Sequence, residues 1–116
     1  MSVTLYHNPR CSKSRATLAL LEERGIDADI RLYLDTAPNA EELSQLLVML
    51  NMSDARSLMR KGEEAYKQQQ LANLNLSQTE LVDAMVSYPK LIERPIVIHN
   101  NQARIGRPPE SVLEIL

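Results

Sequence analysis

The sequence predicts an α/β fold with a mixed sheet, because three patterns follow one another along the chain. The first third alternates strand, helix and strand, the middle has apolar residues at helical spacing, and the last part returns to strands. A helix that connects two neighbouring strands leaves them parallel, whereas a tight turn makes them antiparallel. The length of 116 residues suits one domain, so we expect residues 1–116 to form a single domain.

The beginning of the chain is predicted as a βαβ unit. Residues 3–6 are β-branched, leucine or aromatic, as is typical of a strand. Residues 14–24 have apolar side chains at helical spacing and are followed by Gly25, which suits the C-terminal end of a helix. Residues 28–34 are predicted to form a second strand, parallel to the first. The apolar face of that strand would consist of Ile30, Leu32 and Leu34.

The middle of the chain is predicted as a helical insertion at about residues 39–88. Asn39 is a suitable N-cap, and the stretch from Ser77 to Glu80 has the S-x-x-E pattern of a capping box. Between them we expect a short helix near Ser53 and irregular turns over residues 63–72. The apolar residues expected to point inward include Leu43, Leu46, Leu47, Leu50, Ala55, Leu58, Met59, Leu81, Val82, Met85 and Val86.

The end of the chain is predicted as a hairpin followed by a helix. Residues 95–99 and 102–105 have strand patterns, and the two asparagines between them suit the turn because asparagine tolerates positive φ angles. The double proline at 108–109 starts a last helix, whose buried side would consist of Val112, Leu113 and Leu116. The whole order, β-α-β, helical insertion, β-β-α, is that of a thioredoxin-like fold.

The composition excludes several classes of protein. One cysteine cannot form an internal disulfide, and one cysteine with two histidines supplies too few ligands for a structural zinc site, so we expect no metal. The formal net charge of -2 argues against binding nucleic acid through bulk charge. The apolar stretches are too short to span a membrane, and the first residues lack the pattern of a signal peptide. We therefore expect a cytoplasmic protein without a nucleic-acid or membrane partner.

Cys11 lies between the first strand and the first helix, where a helix N-terminus stabilises negative charge. Arg10, Lys13 and Arg15 flank it, and no acidic residue occurs over residues 7–15. These features lower the pKa of a thiol. A cytoplasmic cysteine is more often a small buried hydrophobe than a nucleophile, but the position and the neighbours of Cys11 favour the nucleophile.

The residues after Cys11 exclude two thiol chemistries. The pattern is C-x-x-S, ending at Ser14, so a dithiol cycle within this loop is impossible. A cysteine phosphatase loop needs an arginine six residues after the cysteine, where this chain has Thr17. What remains is a single nucleophilic thiol that depends on a thiol from another molecule to complete turnover.

Other polar residues are candidates for the same site. His7 either tunes the thiolate or makes a structural hydrogen bond at the end of the strand, and both interpretations are open. Asn8 is expected to order the loop through a bond from its side chain to the backbone. Further candidates are arginines that lie far from Cys11 in the sequence, although each one alone would be typical of a solvated surface: Arg60, Arg94 and Arg107.

Arg94 differs from the other arginines because it precedes Pro95 at the start of a predicted strand. In a thioredoxin-like sheet the strand proline beside the cysteine loop is commonly cis, and Arg94–Pro95 is the candidate bond here.

Three motifs occur in a specific order, at residues 7–15 (HNPRCSKSR), 93–97 (ERPIV) and 107–110 (RPPE). In that combination, and over nearly the whole chain, the sequence resembles the glutaredoxin-coupled arsenate reductase family, most closely its short YfgD-type branch. The resemblance implies a thioredoxin-like fold with a helical insertion. It also implies a cysteine that attacks arsenate, glutathione that displaces it, and glutaredoxin that completes the reduction to arsenite.

The resemblance assigns roles to individual residues by motif match. The nucleophile would be Cys11 and the thiolate-tuning residue His7. The oxyanion-binding residues would be Arg60, Arg94 and Arg107, and the loop-ordering residues Asn8, Ser14 and Pro95. Glutathione would be a co-substrate, with glutaredoxin as the protein partner, no tightly bound cofactor, and a monomeric enzyme.

Two other functions are compatible with the same fold. The related Spx-type regulators bind RNA polymerase without catalysis, but their redox switch uses C-x-x-C, which Ser14 removes here. A thiol transferase that acts on a glutathione mixed disulfide would use the same single thiol. Replacement of arsenate by such a disulfide in one assay distinguishes the transferase from the reductase.

Overall fold

The computed structural model describes residues 2–116, which fold into two compact units. The first unit contains residues 2–36 and 94–116, and the second contains residues 37–93. Within residues 2–116, no helix combines the length and the apolar character that crossing a bilayer requires. That residues 1–116 form one domain stays a prediction.

A four-stranded mixed sheet forms the centre of the first unit. The strands are β1 (Val3–Tyr6), β2 (Asp29–Arg31), β3 (Ile96–His99) and β4 (Gln102–Ile105). They lie in the spatial order β2-β1-β3-β4. The parallel pair β1 and β2 places Leu5 opposite Ile30, whereas β3 is antiparallel to both of its neighbours. The prediction of an α/β fold with a mixed sheet is therefore confirmed.

The helix α1 (Ser12–Glu23) connects β1 to β2 and begins two residues earlier than predicted. At its C-terminal end Gly25 has a φ of 71° and donates its N–H to the carbonyl of Glu22 at 3.0 Å. The N–H of Ile26 reaches back to the carbonyl of Leu21, also at 3.0 Å. These two bonds form a Schellman motif, so Gly25 ends the helix as predicted.

The strand β2 is shorter than the predicted strand over residues 28–34. After β2 the carbonyl of Leu32 accepts the N–H groups of Asp35 and Thr36 at 3.0 and 2.9 Å, which turns the chain. The prediction that Ile30, Leu32 and Leu34 share one face of a strand was wrong, because Leu32 and Leu34 lie beyond the end of β2; all three residues are 40–43% exposed. Since β2 lies at the edge of the sheet, apolar alternation there does not imply burial.

The hairpin of β3 and β4 turns at Asn100 and Asn101, whose φ angles are 54° and 61°, as predicted. The last helix is a 3₁₀ helix over Pro109–Ile115 instead of the expected α-helix. Because a 3₁₀ helix has three residues per turn, its buried residues are Val112 and Ile115, and Leu113 and Leu116 are only partly buried. The core of this unit comprises Val3, Leu5, Leu21, Val97, Val112 and Ile115.

The second unit is helical. The capping boxes predicted at Asn39 and Ser77 are both present, with the Asn39 side chain accepting the N–H of Glu42 at 2.8 Å and Ser77 Oγ that of Glu80 at 3.1 Å. The helices are α2 (Ala40–Met49), α3 (Glu64–Gln68) and α4 (Gln78–Ser87), with 3₁₀ helices over Ala55–Leu58 and Pro89–Leu91. The helix α4 packs against α2 and against both of these 3₁₀ helices.

Candidate active site

Cys11 is the N-cap of α1 and closes the loop that leaves β1. Its N–H donates to the carbonyl of Asn8 at 3.0 Å, and its own carbonyl accepts the N–H of Arg15 at 3.0 Å. The side chain of Asn8 accepts the N–H of Arg10, also at 3.0 Å. Asn8 therefore fixes the loop twice, once through its backbone and once through its side chain.

Ser14 joins the loop to β1 from the first turn of α1. Its side chain is fully buried, and its Oγ accepts the N–H of Asn8 at 3.0 Å and lies 2.7 Å from His7 Nδ1 in a second hydrogen bond. Burial, and then the charge of Arg15, lower the pKa of His7. Because His7 is bonded to Ser14, an influence of His7 on the thiol would pass through the loop.

Only 8% of the surface of Cys11 is exposed, yet the pKa of its thiol lies below the ordinary value. Burial is the largest single effect and raises the pKa. It is outweighed by the backbone N–H groups of Ser14 and Lys13 together with the charges of Arg94 and Arg107. The helix N-terminus and two distant arginines thus favour the thiolate.

Arg107 brings the end of β4 to the cysteine loop. Its Nη2 atom donates to Cys11 Sγ at 3.7 Å, and its Nε atom donates to the carbonyl of Arg94 at 2.8 Å. Arg94 itself places its Nε and Nη1 atoms in the protein interior. The peptide bond between Arg94 and Pro95 is cis, as predicted, and the bond between Arg107 and Pro108 is also cis, which the sequence analysis missed.

Two residues beside the site were not among the predicted ones. The N–H of Gly106 donates to the carbonyl of Pro95 at 2.9 Å. A Cβ atom on Gly106 would lie only 2.5 Å from Thr17 Oγ1, and Thr17 is fully buried. The one signal in the sequence was a single glycine between a strand and Arg107. That signal does not reveal which distant residue approaches the glycine.

Arg60 belongs to the second unit, where the short segments around Met59 and Ile92 pair. Its N–H donates to the carbonyl of Leu91 at 2.7 Å. Its guanidinium binds Glu63 at 2.5 Å and lies 4.0 Å from Glu93. A cation held by two carboxylates is an anion-binding group only when the anion competes with them, so the oxyanion role of Arg60 stays a prediction.

The first unit contains seven of the eight predicted site residues: His7, Asn8, Cys11, Ser14, Arg94, Pro95 and Arg107. Across residues 2–116, no three side chains of the His, Cys, Asp or Glu types are grouped so that they could hold a metal ion. The arrangement of Cys11, Arg94 and Arg107 can hold a reactive thiolate beside guanidinium groups that attract an anion.

Comparison with known proteins identifies the family of the chain. The model of the ArsC family matches residues 6–115. The chain belongs to the ArsC family. This finding confirms the family predicted from the three motifs.

Close relatives of this ArsC family member cover almost its whole length. It is 54% identical to the arsenate reductase of Haemophilus influenzae, over all of both chains. It is 56% identical to the YfgD protein of Escherichia coli K12, over 98% of this chain and 96% of that protein. The solved structure of the arsenate reductase from Vibrio cholerae matches with a TM-score of 0.98 and 56% identity, over 100% of this chain and 98% of that one. The thioredoxin-like fold is thereby confirmed as well.

Proposed function

We propose that this protein reduces arsenate, or a similar oxyanion, to arsenite, with Cys11 as the nucleophile and glutathione with glutaredoxin as the reductants. The observation that carries the proposal is the contact of 3.7 Å between Arg107 Nη2 and Cys11 Sγ at the N-terminus of α1. The relatives named arsenate reductase, at 54% and 56% identity, support the substrate class.

Electrostatics explains why this site suits an oxyanion. Arsenate carries about two negative charges near neutral pH, as a phosphate group does. The planar guanidinium groups of Arg94 and Arg107 match oxygen pairs of such an anion in bidentate fashion, and Arg60 is the third such group by motif match. These cations lower the repulsion between a thiolate and an anion that must come into contact with it.

The proposed reaction has three steps. The Cys11 thiolate attacks arsenic and displaces a hydroxide, which takes a proton from solvent and leaves as water. A glutathione thiolate then attacks the Cys11 sulfur. The sulfur–arsenic bond breaks, its electron pair remains on arsenic as As(V) becomes As(III), and a mixed disulfide between Cys11 and glutathione is left.

The third step regenerates the thiol with a second molecule. A glutaredoxin thiolate attacks the glutathione sulfur of the mixed disulfide, and Cys11 leaves as a thiolate. Cys11 is the one cysteine in the chain, so the chain supplies no resolving thiol of its own. We place this cycle in the cytoplasm, where the thiol pool is kept reduced, and we propose that the enzyme acts as a monomer.

An assay that contains arsenate, glutathione and glutaredoxin tests the proposal, with arsenite measured as the product. The wild-type protein is expected to form arsenite over repeated turnovers only when all three components are present, and Cys11→Ser is expected to form none. Parallel reactions with a glutathione mixed disulfide in place of arsenate test for a thiol transferase. Arsenite formation by Cys11→Ser, or turnover of the disulfide but not of arsenate by the wild type, would overturn the proposal.

A further inference from the structure

We infer that Gly106 and Thr17 are positioning residues of the active site. Because Gly106 has no side chain, the end of β4 lies directly against Thr17, and Arg107 is thereby placed with its guanidinium on the Cys11 sulfur. Neither residue touches the reacting atoms in this arrangement, so each acts through another residue. The inference rests on the proposed function only in treating Cys11 as the nucleophile.

The space beside Gly106 is too small for any other residue. A Cβ atom there would lie 2.5 Å from Thr17 Oγ1 and 2.8 Å from Pro95 Cγ, and real Cβ atoms essentially never approach another heavy atom within 3.0 Å. To reach ordinary contact with Thr17, the backbone at residue 106 would have to move away by about 1 Å. Since Thr17 is fully buried, it has little freedom to yield instead.

Thr17 connects this close approach to the turn that carries the nucleophile. Its Oγ1 atom donates to the carbonyl of Lys13 at 2.9 Å, within the first turns of α1. The backbone N–H groups of Lys13 and Ser14 are among the groups that favour the Cys11 thiolate. The hydroxyl that Gly106 approaches is therefore bonded to the same turn that surrounds the sulfur.

Gly106 also helps to connect the segments that carry Arg94 and Arg107. Its N–H donates to the carbonyl of Pro95 at 2.9 Å, which aligns the residue after Arg94 with the residue before Arg107. The bond of 2.8 Å from Arg107 Nε to the Arg94 carbonyl adds a second connection at the same place. A movement of about 1 Å at residue 106 would therefore displace the guanidinium from a contact of 3.7 Å to Cys11.

The pH dependence of Cys11 alkylation by iodoacetamide tests this inference without arsenate, so its failure is distinguishable from failure of the proposed reaction. Gly106→Ala is expected to raise the pH at which the alkylation rate reaches half of its maximum, as Arg107→Ala is expected to do. The alkylation rate at pH 7 should fall by at least about threefold. In the Arg107→Ala background, Gly106→Ala should add no further shift. Gly62→Ala is the matched control, because nothing lies within 4 Å of the position that its Cβ would take.

Two results for Gly106→Ala, and one for its control, would overturn the inference. One is an unchanged alkylation profile in Gly106→Ala. The other is a shift that adds in full to that of Arg107→Ala, because the glycine would then act independently of the arginine. A profile for Gly62→Ala that moves as far as that of Gly106→Ala would also contradict it.

A second variant keeps the test decisive if Gly106→Ala does not fold. Thr17→Ala combined with Gly106→Ala removes the hydroxyl at 2.5 Å and leaves the Cβ of residue 17 at an ordinary 3.5 Å, so that only the approach to Pro95 Cγ at 2.8 Å remains. The combined variant is expected to be more stable than Gly106→Ala alone and to recover part of the wild-type profile, measured beside Thr17→Ala alone. A combined variant that is no more stable than Gly106→Ala, or that folds with the profile of Arg107→Ala, would show that contact with Thr17 does not determine the position of Arg107.

Discussion

Arg107 Nη2 and Cys11 Sγ lie 3.7 Å apart, although 96 positions separate the two residues in the sequence. The contact joins the end of β4 to the N-terminus of α1, where Cys11 is the N-cap. It exists because the sheet order places β3 beside β1 and β4 beside β3, so both ends of the chain contribute to one site. The overall charge of -2 conceals this local concentration of positive charge around the thiol.

The rate of Cys11 alkylation is expected to reach half of its maximum at a lower pH than the rate for a cysteine in an unfolded peptide, whose thiol has the ordinary pKa. The pKa of Cys11 is lowered, since the Ser14 N–H and the charges of Arg94 and Arg107 outweigh the effect of burial. A lower pKa means that the thiolate is already present at lower pH, so the whole profile moves in that direction. Iodoacetamide labelling followed by mass spectrometry measures both profiles, and a Cys11 profile that lies at or above that of the peptide would contradict the account.

Arg94→Ala and Arg107→Ala are each expected to raise the KM for arsenate by about tenfold or more, because each removes a charge-assisted hydrogen-bond donor from the anion. Steady-state kinetics with saturating glutathione and glutaredoxin measure the effect. Arg24→Ala is the matched control, since Arg24 is exposed just beyond the C-terminal end of α1. If the KM for arsenate rises equally in all three variants, the assignment of Arg94 and Arg107 to the oxyanion is wrong.

Glu63→Gln is expected to lower the KM for arsenate, whereas Arg60→Ala is expected to raise it. The Arg60 guanidinium is bonded to Glu63 at 2.5 Å, so an oxyanion that binds Arg60 competes with this carboxylate. Removal of the carboxylate charge weakens the competitor and leaves the guanidinium available. Steady-state kinetics of both variants test the role, and Glu64→Gln, next to Glu63 in the sequence, is the control. An unchanged KM in Arg60→Ala would exclude Arg60 from oxyanion binding.

Ser14→Ala is expected to lower the free energy of unfolding by about 1–3 kcal/mol. The buried Ser14 Oγ accepts the N–H of Asn8 and bonds His7 Nδ1, and both groups would lose this partner. Urea denaturation measures the change, with Ser12→Ala as the control because Ser12 is exposed in the same turn of α1. Equal destabilisation by the two variants would show that the buried bonds of Ser14 contribute nothing specific.

Features set by local chemistry were predictable from the sequence. The capping boxes at Asn39 and Ser77 and the turn at Asn100 with Asn101 follow from side chains that bond to their own backbone or tolerate positive φ. The position of Cys11 at the start of a helix was also predictable from local sequence, because the helical spacing of apolar residues begins just after it. Its helix begins two residues earlier than expected, because an N-cap is defined by the backbone bonds around it.

Features that depend on distant parts of the chain were not predictable in the same way. Apolar alternation predicted a long second strand, but β2 pairs over three residues at the edge of the sheet. The need for glycine at residue 106 arises from Thr17 and Pro95, which approach it only in the folded chain. The ion pair of Arg60 with Glu63 likewise did not follow from the motif that singled out Arg60.

The central claim is that Cys11 is the thiolate that attacks the oxyanion and is then released by an external thiol. Mass spectrometry of the protein after incubation with arsenate and glutathione, with glutaredoxin omitted, tests it most directly. The account predicts that a glutathione mixed disulfide accumulates on Cys11 only when arsenate is present, that arsenite is released as this disulfide forms, and that glutaredoxin added afterwards removes the glutathione from Cys11. Arsenite formation without any arsenate-dependent modification of Cys11 would contradict the account.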